Sequence, residues 1–315
     1  MDRRAFRPGG VVGGALAVVL LAFAGIAAAA LSVTTDSTSV APEKKGTATA
    51  KCPRGSEAVA GGFASPGFDP GFENSSIVHF DSHRASDREW RTQGHNFGEG
   101  GADPKVPADG EMDAYAVCDS KSPSIVVKSK TKSISPLPPV VVMRSDPKGI
   151  GTAVAKCPKG SEAVSGGFTS PGNADQGEDA TYPFTSKRVG KRKWKVKALN
   201  DDSRHRRTLK TLAYCDKREP GLDVRSDQVT VRAGDKKTLD LGCRDGEKPL
   251  SGGYSSTFNA STQTGAFTFT SRPISGDRWR VSAFGSGGVA KVGASKRGVV
   301  APLARAKLKA FAYCK

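Results

Sequence analysis

Cys157-Pro-Lys-Gly-Ser-Glu-Ala-Val-Ser-Gly-Gly-Phe168 decides the fold, because the chain writes this phrase three times. The other copies run from Cys52 to Gly61, Gly62 and Phe63, and from Cys243 to Gly252, Gly253 and Tyr254. Downstream, each copy places a Phe and a Trp ten residues apart (Phe80/Trp90, Phe184/Trp194, Phe269/Trp279) and closes on a second cysteine at Cys118, Cys215 or Cys314. Repetition on this scale means one supersecondary unit built three times.

Working outward from the phrase, strand signals dominate. Thr47 to Cys52, Thr152 to Cys157 and Thr238 to Cys243 alternate with period two, as half-buried strands do. A glycine three residues after each first cysteine marks a turn, and a short strand then runs into Gly-Gly. Paired glycines inside a strand mark a bulge or a close backbone approach rather than a phosphate cradle, since no helix start or Lys-Ser/Thr follows them. The Phe/Trp segments read as hairpins around turn-rich centres, with each Phe and Trp expected to meet across the pair. The residues beside each Trp are frequently basic and point to the opposite face: Arg91, Lys193, Lys195, Arg278 and Arg280. The closing strands align Met112, Ala114, Ala116 and Cys118 with Leu209, Thr211, Ala213 and Cys215, and with Leu308, Ala310, Ala312 and Cys314. Residues 302–311 would look helical alone, and register with the other copies makes them a strand. The connectors 121–150 and 218–236 hold Ile125-Val-Val127, Val140-Val-Val142 and Val229-Thr-Val231, each read as an added N-terminal strand.

Before the repeats, Arg3, Arg4 and Arg7 precede an apolar run from Val11 to about Ala30. This is the pattern of an export signal, with an uncleaved membrane anchor as the alternative, and Arg3-Arg4 resembles a twin-arginine motif. Export to an oxidising compartment suits six cysteines, two per repeat. Six allow 15 connectivities, and the placement of one cysteine near the start and one at the end of each repeat selects Cys52 to Cys118, Cys157 to Cys215 and Cys243 to Cys314. No Cys-x-x-Cys is present, so no zinc knuckle and no metal is expected.

The expected fold class is therefore all-β: three tandem disulfide-tied antiparallel β modules, each a small sandwich or barrel, after the N-terminal hydrophobic export segment at 1–30. The modules span 31–120, 121–217 and 218–315. Their charges differ sharply. Residues 47–120 carry 6 Lys/Arg against 12 Asp/Glu, 151–217 carry 14 against 7, and 237–315 carry 13 against 4, so an acidic front precedes a basic rear. Such a rear attracts polyanions. For an exported protein these are wall polymers, anionic polysaccharide or lipid surface rather than nucleic acid, with the membrane otherwise met only through the N-terminal segment.

The phrases Cys-Pro-x-Gly, Gly-Gly-Phe, Trp-x-Val and Ala-Tyr-Cys resemble repeats of uncharacterised exported proteins of actinobacteria, over roughly residues 47–315. The resemblance implies a secreted β-rich protein and brings no activity or site. A second and thinner likeness, in the Cys-Pro-x-Gly strands and the threefold β repeat, is to the egg vitelline-membrane outer-layer protein, a β-prism.

Chemistry is sparse. His79, His83 and His95 lie in the first module, His205 in the second and none in the third, which speaks against a repeated catalytic site and reads as solvated histidine. Ser82, Ser186 and Ser271 recur eight residues before each Trp without a recurring His, and so read as structural hydroxyls. The acidic run Asp109, Glu111 and Asp113, with Glu99 and Asp103 upstream, lacks EF-hand spacing. What varies between copies is the loop before the final strand: 94–111, 200–207 and 285–301. Its basic members, Arg204, Arg206, Arg207, Lys291, Lys296 and Arg297, are the candidate ligand-binding residues. The expected function is a non-enzymatic cell-envelope protein binding anionic wall polymer or polysaccharide through modules 2 and 3, with no cofactor. The alternatives are a secreted hydrolase with a carboxylate site in module 1, and head-to-tail self-association of acidic front with basic rear.

Overall fold

The computed structural model describes residues 31–66, 77–97, 109–121, 124–136, 149–170, 181–200, 202, 204–259, 264–274, 277–286 and 305–315. Among them there is no helix. Module 1 supplies β1 (Ser32–Val40), β2 (Lys45–Lys51), β3 (Glu57–Ala64), β4 (Ile77–Ser86), β5 (Glu89–Asn96) and β6 (Gly110–Asp119). Module 2 supplies β7 (Val126–Ile134), β8 (Ile150–Lys156), β9 (Glu162–Thr169), β10 (Thr181–Arg188), β11 (Lys193–Asn200) and β12 (Arg207–Asp216). Module 3 supplies β13 (Asp223–Arg232), β14 (Lys236–Gly242), β15 (Pro249–Ser256), the short β16 (Phe258–Asn259), β17 (Thr264–Pro273), β18 (Arg278–Ser286) and β19 (Arg305–Cys314).

The modules share their sheets. Sheet 1 runs β1-β6-β3-β17-β18-β14, sheet 2 runs β2-β5-β4-β9-β12-β7, and sheet 3 runs β13-β19-β15-β10-β11-β8. Each module is thus two three-stranded halves packed face to face, and each half continues by hydrogen bonding into a half of a neighbour. Module 1 joins module 3, module 3 joins module 2 and module 2 joins module 1, which closes a ring. The second cysteine of every repeat lies on one half and the first borders the other, so Cys52–Cys118, Cys157–Cys215 and Cys243–Cys314 tie the two halves of each module together.

Both glycines of Gly-Gly have a physical reason. A Cβ on the first, at Gly61, Gly166 or Gly252, would overlap the indole of Trp90, Trp194 or Trp279 in the same module. A Cβ on the second would meet a main-chain carbonyl of the next module: Ser271 at Gly62, Ser82 at Gly167 (2.6 Å) and Ser186 at Gly253 (2.7 Å). Those serines are the recurring ones, and each hydroxyl accepts the Trp Nε1–H at 3.0, 3.0 and 3.1 Å. The aromatic after Gly-Gly reaches the centre of the ring, where Phe63 meets Phe168 and Tyr254 edge-on, each at 6.2 Å between centroids. Bulges also repeat, at Val59, Val164 and Leu250 in the Gly-Gly strands, two or three residues before the glycines.

A second set of bulges corrects the expected Phe/Trp pairing. Phe80, Phe184 and Phe269 are the extra residues of β4, β10 and β17. A bulged residue has no partner opposite, so each Trp faces Arg84, Arg188 or Pro273 instead. The histidines are corrected too. His79 and His95 are buried, His83 is mostly buried against Asp81, and His205 alone is exposed.

Two of the three junctions are locked alike. Arg84 N–H donates to Tyr214 Oη and Arg188 N–H to Tyr313 Oη, both at 2.8 Å. The same arginines pair with Glu57 and Glu162. At the junction of module 3 with module 1 the matching positions hold Pro273, Val117 and Lys248. Proline has no N–H, so losing the tyrosine hydroxyl there strands no donor. A further lock is absent from the same junction. Ser165 Oγ donates to Val59 O and Ser251 Oγ to Val164 O, both at 2.5 Å, while Ala60 occupies the first-module position. Ala60→Ser is expected to complete this set against Leu250 O and raise stability by about 1 kcal/mol, read as a higher urea midpoint at unchanged slope.

Candidate functional site

The junctions present quasi-equivalent patches on the outer faces of the sheets, and in these patches the copies carry different charge. Position by position, Glu111, Asp113, Tyr115, Arg272 and Arg280 on sheet 1 correspond to Thr208, Lys210, Leu212, His83 and Arg91 on sheet 2. On sheet 3 the same places hold Lys307, Lys309, Phe311, Lys187 and Lys195.

Sheet 3 carries charge of one sign. Cross-strand pairing puts Lys193 opposite Lys156, Lys195 opposite Val154 and Lys187, and Lys197 opposite Thr152, so these side chains share one face. Through Thr185, Ser255 and Lys309 the same face continues across the junction to Lys307, Arg305 and Arg232. The acidic residues of β13 fall elsewhere: Asp227 lies opposite the buried Ala310 and Asp223 opposite Cys314, both on the other face. Alternation along β11 spaces its lysines about 7 Å apart, while strand neighbours stand about 5 Å apart.

Phe311 sits in the middle of this field. Lys187 Nζ lies 4.8 Å and Lys309 Nζ 5.4 Å from its ring centre, each over the negative π-face. Partial burial pushes the Lys187 ammonium below its ordinary pKa, and the nearby charges of Lys195, Lys309 and Lys197 push it further. The folded protein therefore holds unrelieved repulsion on this face, which a bound polyanion would relieve.

Sheet 1 differs at the same places. A polar cleft of about 280 Å3 there is lined by Glu111 and Asp113 from module 1 and by Arg272 and Arg280 from module 3. Asp113 accepts from Ser37 Oγ (2.7 Å) and Tyr115 Oη (2.9 Å), and Arg280 grips Asp240 through two hydrogen bonds of 2.8 and 2.7 Å. Arg272 lies 5.0 Å from the Tyr115 ring centre. The acidic front and the basic rear thus meet within one chain.

The loop residues singled out from the sequence divide. Arg204 and Arg206 are exposed. Arg207 is committed internally, since its guanidinium pairs with the buried Asp202, which also accepts the N–H groups of Arg204 (2.6 Å) and His205 (2.9 Å). Burial works to raise the Asp202 pKa, and these hydrogen bonds outweigh it, holding the carboxyl well below its usual range. Lys291, Lys296 and Arg297 lie outside the described residues, as does Val140-Val-Val142. The sequence marks Lys193 and Lys195 as basic residues on the face opposite Trp194, but not as ligand-binding residues, because only the loops differ visibly between copies along the chain. The signal for them was present in the alternation of Lys193, Lys195 and Lys197, and of Arg305, Lys307 and Lys309.

No protein-family model matches the chain, and no curated protein matches it in sequence.

Proposed function

We propose that this is a non-enzymatic, exported cell-envelope protein that binds anionic wall polymer or polysaccharide across the outer face of sheet 3. The observation that supports this reading is the lysine field shared by modules 2 and 3, unbroken by any carboxylate on the described strands and centred on Phe311. Lysine suits such a partner. Its compact ammonium makes no demand on anion geometry, so a flexible polymer can settle in many registers. Three disulfides, two of them fully buried, agree with an oxidising destination.

Retention of residues 31–315 on purified anionic wall is expected to weaken steeply with salt. The pair Lys195→Glu and Lys309→Glu should lower affinity at least about tenfold. Arg204→Ala and Arg206→Ala should cost less, and Arg207→Ala should act on stability through Asp202. Retention that ignores salt, or that survives the charge reversals, would end this reading. The hydrolase alternative has its natural place at the sheet 1 cleft, where Glu111 and Asp113 stand two apart on one strand. Wall-polysaccharide hydrolysis that disappears in Glu111→Gln would favour it.

A further inference from the structure

The junction of modules 2 and 3 carries a second feature, at the end of the ring where the disulfides and hairpin turns gather. A cleft of about 320 Å3 opens there, lined by Arg188, Gly190, Lys191, Val224, Phe311 and Tyr313. Its apolar lining includes Val224, which is 49% exposed. The guanidinium of Arg188 lies at the back, with only 8% of its side chain exposed. Arg188 Nη2 pairs with Glu162 and Nε donates to Gly190 O at 3.1 Å, which leaves the buried Nη1 with no partner. An orphaned buried N–H of a cation is costly and asks for an acceptor.

The matching junction shows a second anion held beside its arginine, although on Nη2. Arg84 is the matching residue at the junction of modules 1 and 2, and it pairs with Glu57 just as Arg188 pairs with Glu162. Arg84 also holds a second carboxylate, Asp87, at 2.8 Å from Nη2, leaving its Nε unpaired. The residue in the position of Asp87, three before the Trp, is Lys191 in module 2. A carboxylate at one junction has thus become an ammonium at the other, and Lys191 is half-exposed with Glu219 2.6 Å away. Where module 1 supplies its own anion, module 2 supplies a cation, a free N–H and an apolar hollow.

We propose that this cleft binds an amphiphilic anion, a phosphate or carboxylate head carried on an apolar chain, with the head taking the place that Asp87 takes beside Arg84 and the chain lying on Val224 and Phe311. Arg188 recognises the head by a charge-assisted hydrogen bond, and a modest turn of its guanidinium brings Nη1 to the opening. Lys191, which donates to Glu219 at 2.6 Å in the free protein, stands at the mouth and would share its charge between Glu219 and the bound head. The inference shares Phe311 with the polymer reading but does not depend on it, because the head is held by Arg188 at the disulfide end rather than by the lysine rows.

The test is titration of residues 31–315 with dodecyl phosphate below its micellar concentration. Inorganic phosphate, dodecanoate and a neutral dodecyl glycoside serve as comparison probes, with heat as the readout. Saturable one-to-one binding of both dodecyl anions, at least tenfold tighter than inorganic phosphate and the neutral glycoside, is expected. Lys191→Asp restores the carboxylate that module 1 has, so it should fill the head site from within and weaken binding at least tenfold in a folded protein. Lys195→Glu with Lys307→Glu, two lysines of the rows whose ammonium groups do not lie over Phe311, should weaken wall retention yet leave dodecyl phosphate binding within about threefold. Equal binding of the neutral glycoside, unchanged binding by Lys191→Asp, or no saturable binding would overturn the proposal. Failure of wall retention alone would leave it standing.

Discussion

Replacing Gly166 by Ala is expected to cost at least about 3 kcal/mol, the upper end of overpacking penalties, and to leave little folded protein at 37 °C. A new Cβ there overlaps three atoms of the Trp194 indole. That ring cannot retreat. Its Nε1–H is tied to Ser186 at 3.0 Å, and its far side is closed by Tyr313, 5.6 Å away between centroids. Tyr313 in turn holds the Arg188 N–H across the junction, so displacing the indole disturbs two modules at once. Gly61→Ala and Gly252→Ala should also be costly, because the indoles of Trp90 and Trp279 face them. Gly242→Ala is the control: it ends a strand at ordinary φ with nothing within 4 Å of the new atom, and should shift stability by no more than a few tenths of a kcal/mol. Urea midpoints of the four variants decide it, and a Gly166→Ala protein as stable as Gly242→Ala would show that the glycine is not held by the indole.

How much of this was readable beforehand varies residue by residue. The strands, the disulfide pairing and the need for glycine at Gly61-Gly62 follow from spacing alone, because a repeat multiplies each local signal by three. The turn glycines Gly55, Gly160 and Gly246 are another case: all three have left-handed φ (81°, 68° and 84°), as a glycine closing the turn three residues after each first cysteine suggests. β1 went unread since Ser32–Val40 is rich in Ser and Thr and poor in apolar residues. Its existence was implied by the connectors, where β7 and β13 fill the same role for the later modules. The bulges at Phe80, Phe184 and Phe269 were invisible because one inserted residue leaves the spacing from Phe to Trp intact while changing what faces what. Sheet sharing was hidden for a related reason: Ser82 pairs with Phe168 across 86 positions, and no local pattern encodes a pairing that a few residues make. The Arg84–Tyr214 and Arg188–Tyr313 locks, whose equivalent positions at the third junction hold Pro273 and Val117, became legible only once that sharing was known. The lysine face is the converse case. Its rows were legible along each strand, but only the junction adds β19 to β10 and β11 and turns separate rows into one field.

Acid is expected to destabilise the protein well above the carboxylate range, and His79 is the reason. The imidazole is buried against Phe63, 4.3 Å between ring centres, close to where the three modules meet. Its Nδ1 donates to Thr92 Oγ1 at 3.2 Å, because the Thr92 hydroxyl itself donates to Asp81 O at 2.9 Å. Desolvation lowers its pKa from 6.5 to about 3, and the nearby carbonyl of Phe269 offsets only part of that. The folded value lies below the unfolded one, so the contribution is complete above pH 6.5 and is lost as pH falls toward 3. In that window the unfolded chain takes up a proton that the native chain refuses, and stability falls by about 1.4 kcal/mol per pH unit, approaching about 5 kcal/mol. His95, also lowered by burial, adds in the same direction. The difference between the wild type and His79→Thr therefore isolates the first histidine. Threonine is the residue that module 3 carries at this position, as Thr268. The variant should lose some stability at neutral pH through the smaller side chain, and should show a shallower fall between pH 6.5 and 4, above the range where Asp202 and the other carboxylates contribute. Parallel curves of urea-unfolding free energy against pH for the two proteins would exclude His79 as the acid-sensitive group.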